Sequence, residues 1–193
     1  MKKKIRCHWV TPGDELYLAY HDKEWGVPVY HDKKIYEFLV LETFQAGLSW
    51  RTVLHKRQNF RQAFAGFDYR RVARFDQRTI RSLLKNIGII RNRQKIEAAI
   101  NNAKKFLEVK KEFGTFANYM WSWVKGKPIK HTIKTPKDYP VHISEAVVWA
   151  KDLKRRGFKF LGPTIVYAHM QATGMVIDHA VNCFISKRLR SRP

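Results

Sequence analysis

The stretch of sequence that decides the fold is DKKIYEFLVLETFQAGLSW, residues 32–50. Apolar side chains recur in it at helical spacing, on Ile35, Phe38, Leu39 and Ala46. This spacing predicts a helix with one apolar face, which begins near Lys33 with Asp32 as its N-cap and ends at Gly47. A second helix is predicted from Trp50 onward.

An acidic residue, Glu42, stands on the apolar face of the first predicted helix, three residues after Leu39. A buried carboxylate is costly unless it is paired or hydrogen-bonded, and such groups are enriched in functional sites. A structural ion pair, or a carboxylate that reaches out to solvent at the helix edge, is the alternative interpretation. The pattern alone leaves both open.

The segment Gly47-Leu48-Ser49-Trp50 places an apolar side chain at a helix break, directly before a tryptophan. Enzymes that act on a base in duplex DNA extrude it from the stack, and they need a wedge and aromatic faces for this. Leu48 is a candidate wedge and Trp50 a candidate stacking wall. Ordinary core packing of both side chains is the alternative.

Further helices are predicted along the rest of the chain. Their predicted N-caps are Asp68, Asp76 and Ser144, and Pro163 suits the first turn of another helix. Predicted ends are Gly157 and Gly174. Convincing strands are scarce, so the predicted fold class is all-α, with residues 1–193 as a single unit that could form two helical lobes around a cleft.

The charge balance favours a polyanionic partner. Lys and Arg total 38 against 16 Asp and Glu, a formal net charge of +22. Nucleic acid is the commonest partner for such an excess. Membrane-surface binding and a merely solubilising surface are the alternatives, but no sequence segment combines a basic face with a broad apolar one. The absence of a signal region or membrane span predicts a cytoplasmic protein, associated with the nucleoid through DNA.

The two cysteines, Cys7 and Cys183, each have a histidine companion. His179 precedes Cys183 by four residues, which would put both side chains on one face of a helical turn. With His21 they form a Cys2His2 set that suits tetrahedral zinc and leaves no position for a catalytic water, so one structural zinc ion is predicted. Two core cysteines and two satisfied histidines are the alternative.

A possible DNA-backbone element lies at Ile87-Gly88-Ile89-Ile90, between two predicted helices. The segment resembles a diverged helix–hairpin–helix element, whose exposed amides could hold a phosphate. Arg91 and Arg93 lie beside it. A plain helix–helix turn is the alternative.

Several ordered motifs together resemble the 3-methyladenine DNA glycosylase I family. They span residues 5–184, and the tails 1–4 and 185–193 fall outside. The motifs are Arg6-Cys7-His8-Trp9, Tyr20-His21-Asp22-x-Glu24-Trp25-Gly26-Val27-Pro28, Leu41-Glu42-x-x-Gln45-Ala46-Gly47-Leu48-Ser49-Trp50, Gly88-Ile89-Ile90-Arg91, Arg156-Gly157-Phe158-Lys159-Phe160 and Asp178-His179-x-x-x-Cys183.

The resemblance implies a helix–hairpin–helix glycosylase fold with a zinc snap formed by Cys7, His21, His179 and Cys183. It implies that the chain hydrolyses the N-glycosidic bond of N3-methyladenine in double-stranded alkylated DNA, as a monomer without an organic cofactor. Glu42 is then the catalytic candidate. By motif position, the base-binding residues are Tyr20, Trp50, Trp9, Tyr17 and Trp25, and the DNA contacts are Leu48, Gly47, Gly88, Arg91 and Arg93.

One departure from the pattern bears on this interpretation. Thr43-Phe44 follows Glu42, where the family often has a smaller residue, and this puts the pocket width in question. The helix after the hairpin carries Asn101-Asn102 where related glycosylases have an Asp that assists base departure. This agrees with the family, which resembles a version without that Asp, so no general base is assigned. The rival hypotheses are a zinc-stabilised DNA-binding or damage-sensing module without base release, and a basic RNA-binding protein.

Overall fold

The computed structural model describes residues 4–186. Of the basic tails predicted at 1–4 and 185–193, residues 1–3 and 187–193 lie outside this range. The helices are α1 (Glu15–Lys23), α2 (Asp32–Gln45), α3 (Trp50–His55), α4 (Arg57–Ala63), α5 (Tyr69–Val72), α6 (Gln77–Lys85), α7 (Arg93–Phe113), α8 (Phe116–Ser122), α9 (Ser144–Arg155) and α10 (Pro163–Ala172), with 3₁₀ turns at Ala65–Phe67 and Pro136–Asp138. Among residues 4–186, none of the helices has the length and apolar character that crossing a membrane requires.

Helix α2 is the central element of the fold. It packs against α3, α7, α8 and α10. Every residue from Ile35 to Phe44 is buried, so the helix is covered on all sides rather than on the single predicted face. This burial explains why its polar residues matter, because each polar side chain in the segment must find a partner inside the protein.

The start of α2 differs from the prediction that Asp32 caps it. His31 occupies the N-cap position and Asp32 is the first helical residue. The Asp32 carboxylate instead accepts the backbone N–H of Ala117 at 3.0 Å and pairs with Lys110, so it ties α2 to α7 and α8. The end of the helix is as predicted, since Ala46 is the C-cap and Gly47 has a φ of +78°.

The predicted caps of the later helices have mixed outcomes. Asp68 and Asp76 both cap as predicted, because their carboxylates accept N–H groups of α5 and α6. The prediction for Ser144 is wrong: Ile143 is the N-cap, and the Ser144 hydroxyl bonds to Glu145 in the first turn of α9. Pro163 begins α10 as predicted.

A short parallel strand pair is the exception to the predicted all-α class. Strand β1 (Ile129–Lys130) pairs with β2 (Val176–Ile177), and Ile133 forms a bridge with Ala180. The chain from 179 to 183 is a turn, not the predicted helix, in which the Cys183 N–H bonds to the Ala180 carbonyl. The pairing holds this turn beside the segment that follows α8.

Candidate functional site

A pocket of about 290 Å³ opens between α1, the C-terminal half of α2, the start of α3 and α10. All six residues predicted to contact an extruded base line it: Trp9, Tyr17, Tyr20, Trp25, Glu42 and Trp50. They come from four separate segments of the chain, which the fold brings together. Their role toward a base stays a prediction.

Seven of the fourteen residues that line the pocket are aromatic. The ring centroids of Trp9 and Trp25 lie 4.9 Å apart, and those of Tyr20 and Trp50 lie 5.2 Å apart. The indole Nε1 atoms of Trp9 and Trp50 are buried and have no hydrogen-bond partner among the residues described. A flat ring with polar edges would meet both apolar faces and unpaired donors here.

Glu42 is the carboxylate of this pocket, and it is 1% exposed. Its Oε2 atom accepts a hydrogen bond from Nδ1 of His169 at 2.7 Å. Its Oε1 atom has no partner within residues 4–186. Burial raises the pKa of the Glu42 carboxyl, and His169 only partly opposes this. A residue that lines the pocket therefore keeps one buried acceptor oxygen unpaired.

The four predicted metal ligands lie together, all buried. The ligand atoms of Cys7, His21, His179 and Cys183 fall within 4.8 Å of one another. Nδ1 of His179 lies 3.4 Å from Sγ of Cys7 and 3.7 Å from Sγ of Cys183, which itself lies 3.5 Å from Nε2 of His21. Ideal zinc bond lengths in a tetrahedron place such ligand atoms roughly 3.3–3.8 Å apart, and these three separations fall in that range, so the cluster could hold a metal ion.

The outer ring nitrogens of both histidines are held in the way that metal-binding histidines require. Nδ1 of His21 bonds to Asp22 at 2.8 Å, and Nε2 of His179 donates to the carbonyl of Trp25 at 3.0 Å. Asp22 is fixed in turn by Arg6 through two hydrogen bonds of 2.8 Å. The contact between the two thiols lowers the pKa of Cys183 and raises the pKa of Cys7, so the pair shares one proton in this buried cluster.

The segment between α2 and α3 projects Leu48 outward. Gly47 and Leu48 are both exposed, and Leu48 keeps 43% of its surface accessible. Buried Lys95 of α7 holds the start of this segment in place, because its ammonium donates hydrogen bonds to the carbonyls of Phe44 and Ala46. Core packing, the alternative for Leu48, does not occur. Trp50 is half-buried at the pocket instead.

The connection between α6 and α7 places Gly88, Arg91 and Arg93 near the start of α7. Arg91 and Arg93 are exposed. The Gly88 N–H, expected to be exposed, donates to the Asn86 side chain at 2.8 Å and is not free to bind a phosphate. A side chain at position 88 would crowd Asn59, whose amide bonds the Gly88 carbonyl.

Thr43-Phe44, the departure noted in the sequence, and Asn101-Asn102 all lie away from the pocket. Phe44 is fully buried against Phe60 and Phe64, with centroid distances of 4.7 and 5.7 Å, and does not line the pocket. The amides of Asn101 and Asn102 bond the backbone of residues 157 and 159. Glu42 is the single carboxylate among the described residues that line the pocket.

Some pocket and supporting residues were not predicted from the sequence. Gln45, Tyr139, Tyr167 and Gln171 also line the pocket. Buried Asp178 accepts hydrogen bonds from Tyr167, Gln171 and His131, and so links the pocket wall to the cysteine–histidine cluster that begins at the next residue, His179. His169 was missed although it interrupts an apolar helical spacing, between Val166 and Met170, as Glu42 does on α2.

The chain is similar to known proteins over nearly its whole length. The sequence model of a family described as Methyladenine glycosylase matches residues 9–186. DNA-3-methyladenine glycosylase 1 of Escherichia coli (strain K12) is 46% identical over 178 residues, which cover 92% of this chain and 95% of that protein.

Solved structures give the same result. A crystal structure of 3-methyladenine DNA glycosylase I superposes with a TM-score of 0.90 at 46% identity, covering 93% of this chain and 98% of that one. A variant of 3-methyladenine DNA glycosylase I in complex with 3-methyladenine has a TM-score of 0.89 at 36% identity, covering 93% and 96%.

Proposed function

The chain belongs to the methyladenine glycosylase family, and on this premise we propose that it excises 3-methyladenine from alkylated DNA in base-excision repair. It hydrolyses the N-glycosidic bond, releases the free base and leaves an abasic site. The observation that carries this for the chain's own residues is the unpaired Oε1 atom of Glu42 inside an aromatic pocket.

The pocket chemistry suits a cationic base. Methylation at N3 gives adenine a positive charge and weakens its glycosidic bond. The faces of Trp50, Tyr20 and the other rings attract a cation, and Glu42 supplies negative charge where the base would sit. Burial keeps the pKa of Tyr20 well above its usual value, so its hydroxyl stays protonated and can donate to the base. Unmodified adenine gains less from these contacts.

The experiment that tests this proposal measures free bases released from alkylated duplex DNA. The wild type releases 3-methyladenine. Glu42→Gln loses about 100-fold in rate, because a hydrogen bond to a charged group contributes roughly 1.5–3 kcal/mol. Glu108→Gln is the matched control, since Glu108 is an exposed acid that pairs with Lys105.

The outcomes separate the hypotheses. DNA binding without base release by the wild type would support the noncatalytic DNA-binding module instead. Preference for RNA regardless of methylation would support the RNA-binding alternative. Undiminished release by a folded Glu42→Gln variant would remove the role given to Glu42 but keep the activity.

For DNA binding, we propose that Leu48 enters the duplex and that the connection between α6 and α7 is a helix–hairpin–helix element on the backbone. Leu48 is exposed on a supported turn beside the pocket. At the connection, the N–H groups of Ile90 and Arg91 make no hydrogen bond within the described part of the chain, so they remain free to donate to a phosphate. Arg91 and Arg93 add positive charge there.

We also propose that Cys7, His21, His179 and Cys183 hold one zinc ion, as a zinc snap. The spacing of the ligand atoms and the hydrogen bonds to Asp22 and the Trp25 carbonyl support this. When bound, the ion would cross-link residues 7–21 to residues 179–183, and its role would be structural because all four positions are filled by protein. The whole chain would then act as one glycosylase unit.

A further inference from the structure

His169 is a fully buried histidine whose one side-chain hydrogen bond within residues 4–186 goes to Glu42. Its Nδ1 atom lies 2.7 Å from Oε2 of Glu42, and its Nε2 atom has no partner among those residues. The other face of the ring packs against Trp149 of α9, at a centroid distance of 5.8 Å. An apolar side chain would satisfy that packing without burying a polar ring, so packing alone does not account for a histidine.

The hydrogen bond from His169 makes the two oxygens of the Glu42 carboxylate different from each other. The final torsion of a glutamate side chain is soft, so a carboxylate without partners can exchange its oxygens. Here Oε2 is held by an N–H group of α10, while Oε1 stays unpaired in the pocket lining. The orientation of the free acceptor is therefore set by a residue on another helix.

We propose that His169 is a positioning residue for base excision, which donates its Nδ1–H to Glu42, keeps that carboxylate ionised in a buried site, and leaves Oε1 as the acceptor for the extruded base. This inference rests on the proposed function, because it assigns His169 a task in the same reaction. His169 lies behind Glu42 and does not line the pocket itself.

Among the groups around Glu42, His169 is the main one that opposes the effect of burial on the pKa of Glu42. From α1, Tyr20 faces it with a hydroxyl that stays protonated. From α7, the Lys95 ammonium is directed to the carbonyls of Phe44 and Ala46. From α3, the pocket neighbour Trp50 carries no charge. Burial raises the pKa of Glu42 and His169 lowers it, so removal of His169 leaves the desolvation unopposed and the pKa rises further.

The first test follows the Glu42 carboxyl directly, without any catalysis. The full-length protein is labelled with ¹³C at glutamate Cδ and titrated by NMR, and the Glu42 signal is assigned by its loss in Glu42→Gln. In His169→Phe the midpoint moves to higher pH than in the wild type. His169→Asn, which returns an amide N–H at a similar distance from the backbone, restores part of the shift. Met170→Leu is the packing control, since Met170 is a buried neighbour on the same helix.

The second test measures release of 3-methyladenine from alkylated DNA across pH. His169→Phe loses about 10- to 100-fold in kcat/KM at neutral pH, and the acidic limb of its profile moves to higher pH. His169→Asn recovers part of the loss, and Met170→Leu follows the wild-type profile.

The results that overturn the inference differ from those that overturn the proposed function. Coincident Glu42 titrations in the wild type and His169→Phe overturn it, and so does an equal shift in Met170→Leu, even if the wild type releases 3-methyladenine. A wild type that releases no 3-methyladenine overturns the proposed function. The excision role of His169 then falls with it, whatever the titration shows.

Discussion

Glu37 and Glu42 are two buried acids on the same helix, and their surroundings give them opposite properties. Glu37 is bonded by Arg57 and Arg61 at 2.8 Å each, and these partners hold its pKa below the usual value despite burial. Glu42 has His169 alone, and its pKa is raised. Glu37 thus forms a structural ion pair, whereas Glu42 keeps one carboxylate oxygen unpaired.

Gly174 is the residue at which the end of α10 meets the turn after α1. Its φ is +73°, and a Cβ atom there would lie 2.4 Å from the backbone of Val27 and Pro28. Hydrogen bonds join the same segments, from the Gly26 N–H to Gln171 and from the Val29 N–H to Thr173. The missing side chain therefore permits the approach that places Trp25 beside the pocket.

We predict that Gly174→Ala is far more destabilising than Gly126→Ala. Both glycines have a φ of +73°, but a Cβ at Gly126 meets open space. The left-handed conformation alone costs about 1–2 kcal/mol, and the clash at Gly174 adds roughly 1–3 kcal/mol because backbone must move. Urea denaturation of both variants measures the difference in free energy of unfolding. Equal losses would show that the segments can separate without cost.

The sequence was informative about residues whose position conflicts with their surroundings. Glu42 could be singled out because its spacings of three and four from Leu39 and Phe38 put a carboxylate on the apolar face of a helix. His169 carries the same signal, but a histidine is common enough in protein cores that spacing alone does not identify a partner 127 positions away. Asp178 could not be assigned because its partners converge only in the folded chain.

At the scale of elements, helices were predictable and their ends less so. Asp68 and Asp76 cap as predicted, whereas Asp32 and Ser144 lie one position inside their helices. Either residue type suits both positions, so local sequence cannot choose between them, and at Asp32 the contacts with α7 and α8 decide. The segment 179–183 is not a regular helix, because Ala180 forms a parallel bridge with Ile133 and the chain turns directly after it.

The proposed zinc ion joins two elements that are distant in sequence, and its removal tests that link. We expect metal analysis to find one zinc per chain in the wild type and none in Cys183→Ser. Closing a loop of more than 100 residues contributes roughly 4–5 kcal/mol in the chain-entropy picture, which lowers Tm by about 10 °C or more when the link is lost. A strong chelator has the same effect on the wild type.

The control for the zinc prediction is His8→Gln. His8 is exposed and directly follows the proposed ligand Cys7, but it is not part of the cluster. This variant keeps its zinc and its Tm. A wild type that folds with the same Tm with and without bound metal would contradict a structural role for the ion.

Over the whole molecule, the net charge of +22 and the proposed DNA-contacting residues contribute to DNA binding in different ways. The charge acts on any duplex through release of counterions, whereas the pocket acts on one base. The proposed contacts lie near the C-terminal end of α2, beside Leu48. Arg70 lies near Asp32, at the other end of that helix. Because α2 has 14 residues, its two ends are about 20 Å apart.

This arrangement predicts how DNA binding depends on salt. If the protein makes about six contacts to DNA phosphates, the affinity of the Glu42→Gln variant for undamaged duplex DNA falls roughly 1,000-fold when the salt concentration rises from about 50 to about 200 mM. Arg91→Gln flattens the slope of log affinity against log salt by about 0.9, because one phosphate contact is lost. Arg70→Gln removes the same charge from a distant exposed position and changes the slope little. Equal changes in both variants would mean that the positive charge attracts DNA without orienting it, and would contradict the proposed contact at the start of α7.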